Sequence, residues 1–209
     1  MQGLLGRLVS PPRRGADRET LVETVRAGAA YLAQGASYSY LRARTLLAGP
    51  RLFSDEGFGM ALTICKWEGF AVAAQDLILM LETDLRPMLP NDPERLAPVL
   101  ADIYRDVLAA EAMPEHRAKT GWDDVIAEFD ARLPIFLSRP PLKPDAISTA
   151  TALRIMDHAP IDPAVREADT VMVANNTAFR FIEYQAKMRK GLDLEAIAAD
   201  IARTMTGKS

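Results

Sequence analysis

Cysteine occurs once in this chain, at Cys65, and histidine twice, at His116 and His158. A lone cysteine excludes an intrachain disulfide and a thiolate-built zinc cluster, and it suits a reducing compartment, so a cytoplasmic location is expected. Two histidines cannot furnish a ferritin-like di-metal centre, which needs two Glu-x-x-His pairs: Met113 and Ile155 stand three residues before His116 and His158. No metal and no cofactor is therefore expected. A surplus of basic residues is also lacking, since 25 Lys and Arg stand against 28 Asp and Glu for a net charge of −3, which argues against nucleic-acid binding. The most apolar window, Met60 to Leu81, is broken by Lys66, Glu68, Gln75 and Asp76, each costly in hydrocarbon, so no membrane span is expected. At the start, Met1 to Val9 is interrupted by Arg7 and followed by Pro11-Pro12, which does not make a secretory leader.

Strand signals are scarce as well: no sustained alternation of β-branched and polar residues is bounded by turn dipeptides. Helix punctuation takes their place. Asp17 can cap a first helix running to about Leu47, bent near Gly35 and stopped by Gly49-Pro50. Ser54-Asp55-Glu56 opens a second that Pro87 closes, and Asp92-Pro93 and Asp162-Pro163 each set a capping carboxylate before a proline that needs no N–H partner. Further helices are expected to end near Ala112 and to run from Asp123 to Leu137 and from Pro144 to His158. Gly191 should end the helix begun at Pro163, and Asp193 should cap the last.

The expected fold is all-α, an antiparallel bundle or array of about seven helices, two of them long and central. Residues 1–16 form a flexible leading segment and 17–209 a single helical domain, with a sub-boundary near the proline-rich stretch 138–144. The central pair should be the helices from Ser54 and Pro163. Apolar residues of the former line two neighbouring faces. The latter carries one stripe of Val165, Ala168, Met172, Phe179 and Ile182 and another of Val171, Ala174, Ala178 and Phe181.

Catalytic signatures fail on context. Gly35-Ala36-Ser37-Tyr38-Ser39 lacks the last glycine of a nucleophile elbow and the strand before it. Gly207-Lys208-Ser209 lacks the earlier glycine of a phosphate-binding loop, and Gly57-Phe58-Gly59 lacks the third glycine of a dinucleotide fingerprint. What remains is polar residues on apolar helices. Glu68, Gln75 and Glu82 recur at intervals of seven on one face, so they must be paired, reach a rim or line a cavity. Trp67, Glu68, Gln75, Asn175 and Phe179 are the candidate ligand-binding residues, and a buried Asn175 could instead fix helix register. Tyr31, Tyr38, Tyr40 and Arg44, with Arg42 nearby, are candidate interface anchors. His158 should sit at a helix end favoured by the dipole, and His116 in a solvated loop.

The stretch Leu46-Leu47-Ala48-Gly49-Pro50-Arg51-Leu52-Phe53-Ser54-Asp55-Glu56-Gly57-Phe58 resembles the opening helix of TetR-type transcriptional regulators. That resemblance implies a helix-turn-helix head, with Glu68-Gly69-Phe70-Ala71 as the turn and Val72 to Met80 as the recognition helix. The recognition segment contains no basic residue to meet phosphate.

Three functions follow as expectations. The first is a non-catalytic helical protein, a homodimer, that works through a protein partner or an apolar small molecule held between helices. The second is an enzyme with a carboxylate-lined cavity beside Glu68 and Gln75, and the third a TetR-like regulator.

Overall fold

A computed structural model describes residues 15–45 and 50–207 of the chain. Its described residues form nine α-helices: α1 (Arg18–Arg44), α2 (Pro50–Phe53), α3 (Glu56–Leu85), α4 (Pro93–Ala109), α5 (Asp123–Leu137), α6 (Pro144–Ile147), α7 (Thr149–His158), α8 (Pro163–Gly191) and α9 (Leu194–Met205). Seven have ten residues or more, while α2 and α6 have four each, so the all-α array is as expected. No described helix is long and apolar enough to cross a membrane. The expected helix stop at Gly49, and most of the expected leading segment, lie outside the described residues.

The starts are set by aspartates. The side chains of Asp17, Asp55, Asp92, Asp162 and Asp193 each accept a hydrogen bond from a first-turn N–H of α1, α3, α4, α8 and α9. Four boundaries differ from expectation: α1 ends at Arg44, Asp55 rather than Ser54 is the cap of α3, α4 ends at Ala109, and the helix expected from Pro144 to His158 is broken at Ser148. Gly15 pairs with the α8–α9 junction through Gly15 N to Gly191 O (2.9 Å) and Asp193 N to Gly15 O (2.8 Å), which ties the start of α1 to the end of α8.

α3 is the centre of the array. Every residue from Glu68 to Glu82 is buried, which explains why its apolar residues run all round instead of along one stripe. α1 covers one side of α3 and α7 the other, with α4 and α5 closing the remainder. The small residues of α1 permit close approach, as expected. A Cβ on Gly28 would stand 2.3 Å from the Tyr184 ring of α8, and one on Gly69 of α3 would stand 3.0 Å from Ile155 of α7.

α8 is not the second central helix. Its buried row is Asp169, Val173, Thr177, Phe181, Gln185 and Met188. Of the two apolar stripes expected to pack inward, the first faces solvent, with Phe179 63%, Ile182 48%, Met172 40% and Val165 38% exposed, and the second is split, with Val171 73% exposed and Phe181 buried. α8 thus carries three polar groups inward beside Val173, Phe181 and Met188. Asp169 accepts from Tyr40 Oη (3.0 Å) and pairs with Arg44, and Gln185 donates to Asp84 (3.1 Å), so two of the three polar groups on the inward face are satisfied. Thr177 Oγ1 alone has no protein partner.

The TetR-like reading is corrected here. α3 is one continuous helix through Glu68-Gly69-Phe70-Ala71, where the turn should stand, and Val72 to Met80 is wholly buried. A buried segment cannot enter a DNA groove. Leu46 to Gly49 of the resembling stretch lie outside the described residues.

Candidate functional site

The densest gathering of chemistry is a buried carboxylate on α3. Glu68 is 1% exposed, and an isolated charge at such a position would neutralise itself or unfold the helix around it. It is instead surrounded by cations from two other parts of the chain. Arg117, in a short 3-10 turn (Glu115–Arg117), donates from Nε to Oε1 at 2.7 Å and from Nη2 to Oε2 at 2.6 Å. His116 Nε2 stands 3.0 Å from Oε1, Arg154 of α7 donates to Oε2 at 3.4 Å, and His158 Nε2 lies 3.9 Å from Oε2. Both histidines of the chain converge on one carboxylate.

A second ring of contacts fixes the first. Arg117 donates to Asp124 of α5 at 2.6 Å and lies 4.9 Å from the centre of the Trp122 ring, while Arg154 donates to Glu128 at 2.5 Å. His116 meets the edge of Trp122 with ring centres 6.4 Å apart. Burial pushes the Glu68 carboxyl upward, but the hydrogen bonds from Arg117 and His116 outweigh it and hold the group below its ordinary value. Burial likewise lowers His158, against the pull of Glu68.

About two turns further along α3, Gln75 and Asp76 make a second polar layer. Gln75 Nε2 donates to the carbonyl of Val125 (3.0 Å) and to Tyr104 Oη (3.3 Å), whose own hydroxyl donates to Ala71 O. Asp76 Oδ2 accepts from the backbone N–H (3.0 Å) and hydroxyl (2.6 Å) of Thr151, at the start of α7. Arg132 of α5 approaches Oδ1 at 2.7 Å as an ion pair without a well-directed hydrogen bond, and complete burial raises the Asp76 carboxyl above its ordinary value. A third layer is Glu82, held by Arg86 through two hydrogen bonds of 2.7 and 2.8 Å. The row of seven-residue intervals seen in the sequence is therefore paired at every step, to the Glu115–Arg117 turn and α7 at Glu68, to α4 and α5 at Gln75, and to its own next turn at Glu82.

These layers can do little acid–base or nucleophilic chemistry. Both oxygens of Glu68 already accept strong donors, leaving no free lone pair directed at a substrate. Two guanidiniums on the same carboxylate also oppose a cation, and no group of three or more His, Cys, Asp or Glu among the described residues is placed to hold a metal. The buried Cys65 thiol contacts Ser37 Oγ and Ile155 O, and burial pushes it up to about 11, so it is neither ionised nor accessible.

The expected ligand site does not assemble. Glu68 and Gln75 face α5 and α7 from inside the protein, and Trp67 packs edge-on against Phe70 at 5.5 Å on the α3 surface. Asn175 and Phe179 stand exposed on α8. The expected interface anchors divide as well. Tyr40 is buried and, with Arg44, holds Asp169, whereas Tyr31 and Tyr38 are 49% and 46% exposed beside α8 and α2. Tyr31 stacks on Tyr184 at 6.2 Å and carries Lys187 over its ring at 5.0 Å, so it borders the exposed face of α8.

His116, expected in a solvated loop, is instead a partner of Glu68, while His158 does stand at the end of α7 and from there also reaches toward Glu68. One signal could have revealed the second: Arg154 and His158 are four apart on α7 and share a face. Among the surface clefts, one of about 410 Å³ opens on Glu82 and Arg86 of the third layer, and others lie away from the layers. One of about 350 Å³ runs between α1 and α8, lined by Tyr40, Asn176, Phe179, Arg180 and Glu183, and one of about 640 Å³ lies between α4 and α5 around Pro98 and Pro134. Comparison with family models, curated proteins and solved structures gives no match.

Proposed function

We propose that this chain is a non-catalytic interaction protein that works through the exposed face of α8, with the homodimer expected from its sequence as the simplest assembly. The observation that carries the reading is the inverted α8: Asp169, Thr177 and Gln185 turn inward while Val171, Met172, Phe179 and Ile182 turn outward. Scattered exposed apolar residues are ordinary, but a contiguous row along one helix is the mark of a surface made to be covered. The saturation of Glu68, Gln75 and Glu82 by their own protein supports a structural role for those groups over a catalytic one. A lone, inert Cys65 is consistent with work in the cytoplasm.

The test is photo-crosslinking in cells of the protein's own source, with a benzophenone amino acid at position 179 and, as control, at the exposed Lys119. A protein adduct formed through position 179 and not through 119 is the expected result. Equal yields from the two positions would remove α8 as the working surface.

A further inference from the structure

The exposed residues of α8 have a spacing of their own. Val165, Ala168, Met172, Asn175, Phe179, Ile182 and Ala186 are all exposed and follow one another at alternating steps of three and four. That alternation is the 3.5-residue repeat by which one helix presents a seam to another, and a flat or irregular partner would not require it. From Ala168 to Ala186 the seam is about 27 Å long at 1.5 Å per residue. Exposed charge is excluded from its middle: Arg180 turns aside to donate to Ser39 at 2.7 Å, and the remaining exposed positions between Glu167 and Glu183 are apolar or asparagine.

Charge gathers at the two ends with opposite sign. Asp162 and Glu167 are exposed at the N-terminal end, and at the C-terminal end exposed Lys187, Arg189 and Lys190 outnumber Glu183. A partner helix must therefore bring basic residues to the first end and acidic residues to the second. A copy of α8 laid antiparallel does both, and it also opposes the helix dipoles.

We propose that the occupant of this face is a second copy of this chain, with α8 packed antiparallel on the partner's α8 around a two-fold axis. This rests on the reading of α8 as the working surface and names its partner. One register satisfies the seam. Asn175 sits opposite Phe179 of the copy, Met172 opposite Ile182 and Ala168 opposite Ala186, and the Lys190 end reaches the copy's Asp162 end. The closest layers are then the small alanines near both ends, with the bulky side chains interleaved between them. Asn175 and Asn176, whose amides both donate and accept, lie near the axis and disfavour a slipped register.

Two purified full-length variants, Ala168→Cys and Ala186→Cys, test this directly, because Cys65 is buried and does not compete. Under mild oxidation a mixture of the two should give a disulfide-linked dimer, and each variant alone should give at least tenfold less. Efficient crosslinking of Ala168→Cys with itself would place the helices parallel and overturn the arrangement. Light scattering on the unsubstituted chain at tens of micromolar should give twice the monomer mass, and Phe179→Glu, at an exposed position, should return it to monomer with an unchanged thermal midpoint. A monomer for the unsubstituted chain would overturn self-association. In that case an adduct from position 179 to a different protein would still uphold α8 as the working surface, whereas its absence would remove both readings.

Discussion

The Arg117 guanidinium closes on both oxygens of Glu68 at 2.7 and 2.6 Å across 49 positions of chain, joining a loop to the most buried helix of the protein. Removing one member leaves the other buried without a counter-charge, which in general costs about 3–5 kcal/mol. Glu68→Gln should therefore lower the unfolding free energy obtained from urea titration by that order, and Arg117→Met should do the same. The double variant should recover most of the loss, since replacing both members of a buried pair is often nearly neutral. A cost under about 1 kcal/mol for each single variant would show that the pair does not hold the fold.

The same cluster sets a pH dependence. His158 lies below its ordinary value of 6.5 in the folded protein, so the unfolded chain binds its proton first as the solution is acidified. Stability should then fall as pH drops through 6.5 toward the folded value. Glu68 lies below 4.5, so its contribution is complete above that point and is lost only as pH falls through the lower folded value. Two losses on acidification are expected in denaturant midpoints, and His158→Gln should abolish the first and leave the second. A single loss, unaffected by that substitution, would contradict the assignment.

How much of this was legible in the chain depends on the range of the interaction involved. Helix starts are local, and Asp17, Asp92, Asp162 and Asp193 marked them because a capping carboxylate acts two or three residues away. The burial of α3 was legible too, as its apolar residues cover more than one face. The orientation of α8 was not, because periodicity reads the apolar stripe as inward. What reverses it is remote: Asp169 is satisfied by Tyr40 at a separation of 129 residues and Gln185 by Asp84 at 101. The return of His116 onto Glu68 is hidden for the same reason, since nothing local distinguishes a solvated loop histidine from one folded back onto a helix.

Cys65 should report global opening. Its thiol is fully buried between α1, α3 and α7, and burial pushes its ionisation up to about 11, so the reactive thiolate is scarce at neutral pH. Native protein should resist iodoacetamide, and the labelling rate should rise with urea in parallel with the loss of helical circular dichroism. Rapid labelling without denaturant would mean that this part of the array opens on its own.

Gly28 sets two effects against each other. Alanine there improves helix propensity by about 1 kcal/mol, and by that measure alone it should stabilise α1. Its Cβ would, however, stand 2.3 Å from Tyr184 Cε1. That ring cannot swing away cheaply, because its hydroxyl donates to Thr24 O at 2.9 Å and its face stacks on Tyr31. Overpacking of this kind costs about 1–3 kcal/mol, so the clash should win and Gly28→Ala should lower the thermal midpoint. The sign should reverse once the obstacle is gone: in a Tyr184→Ala background, Gly28→Ala should raise the midpoint, because only the propensity gain is left. A stabilising Gly28→Ala with Tyr184 in place would show that α8 does not press on α1 this closely. The same pair of backgrounds would then separate a loose α1–α8 contact from a tight one without touching the exposed face of α8.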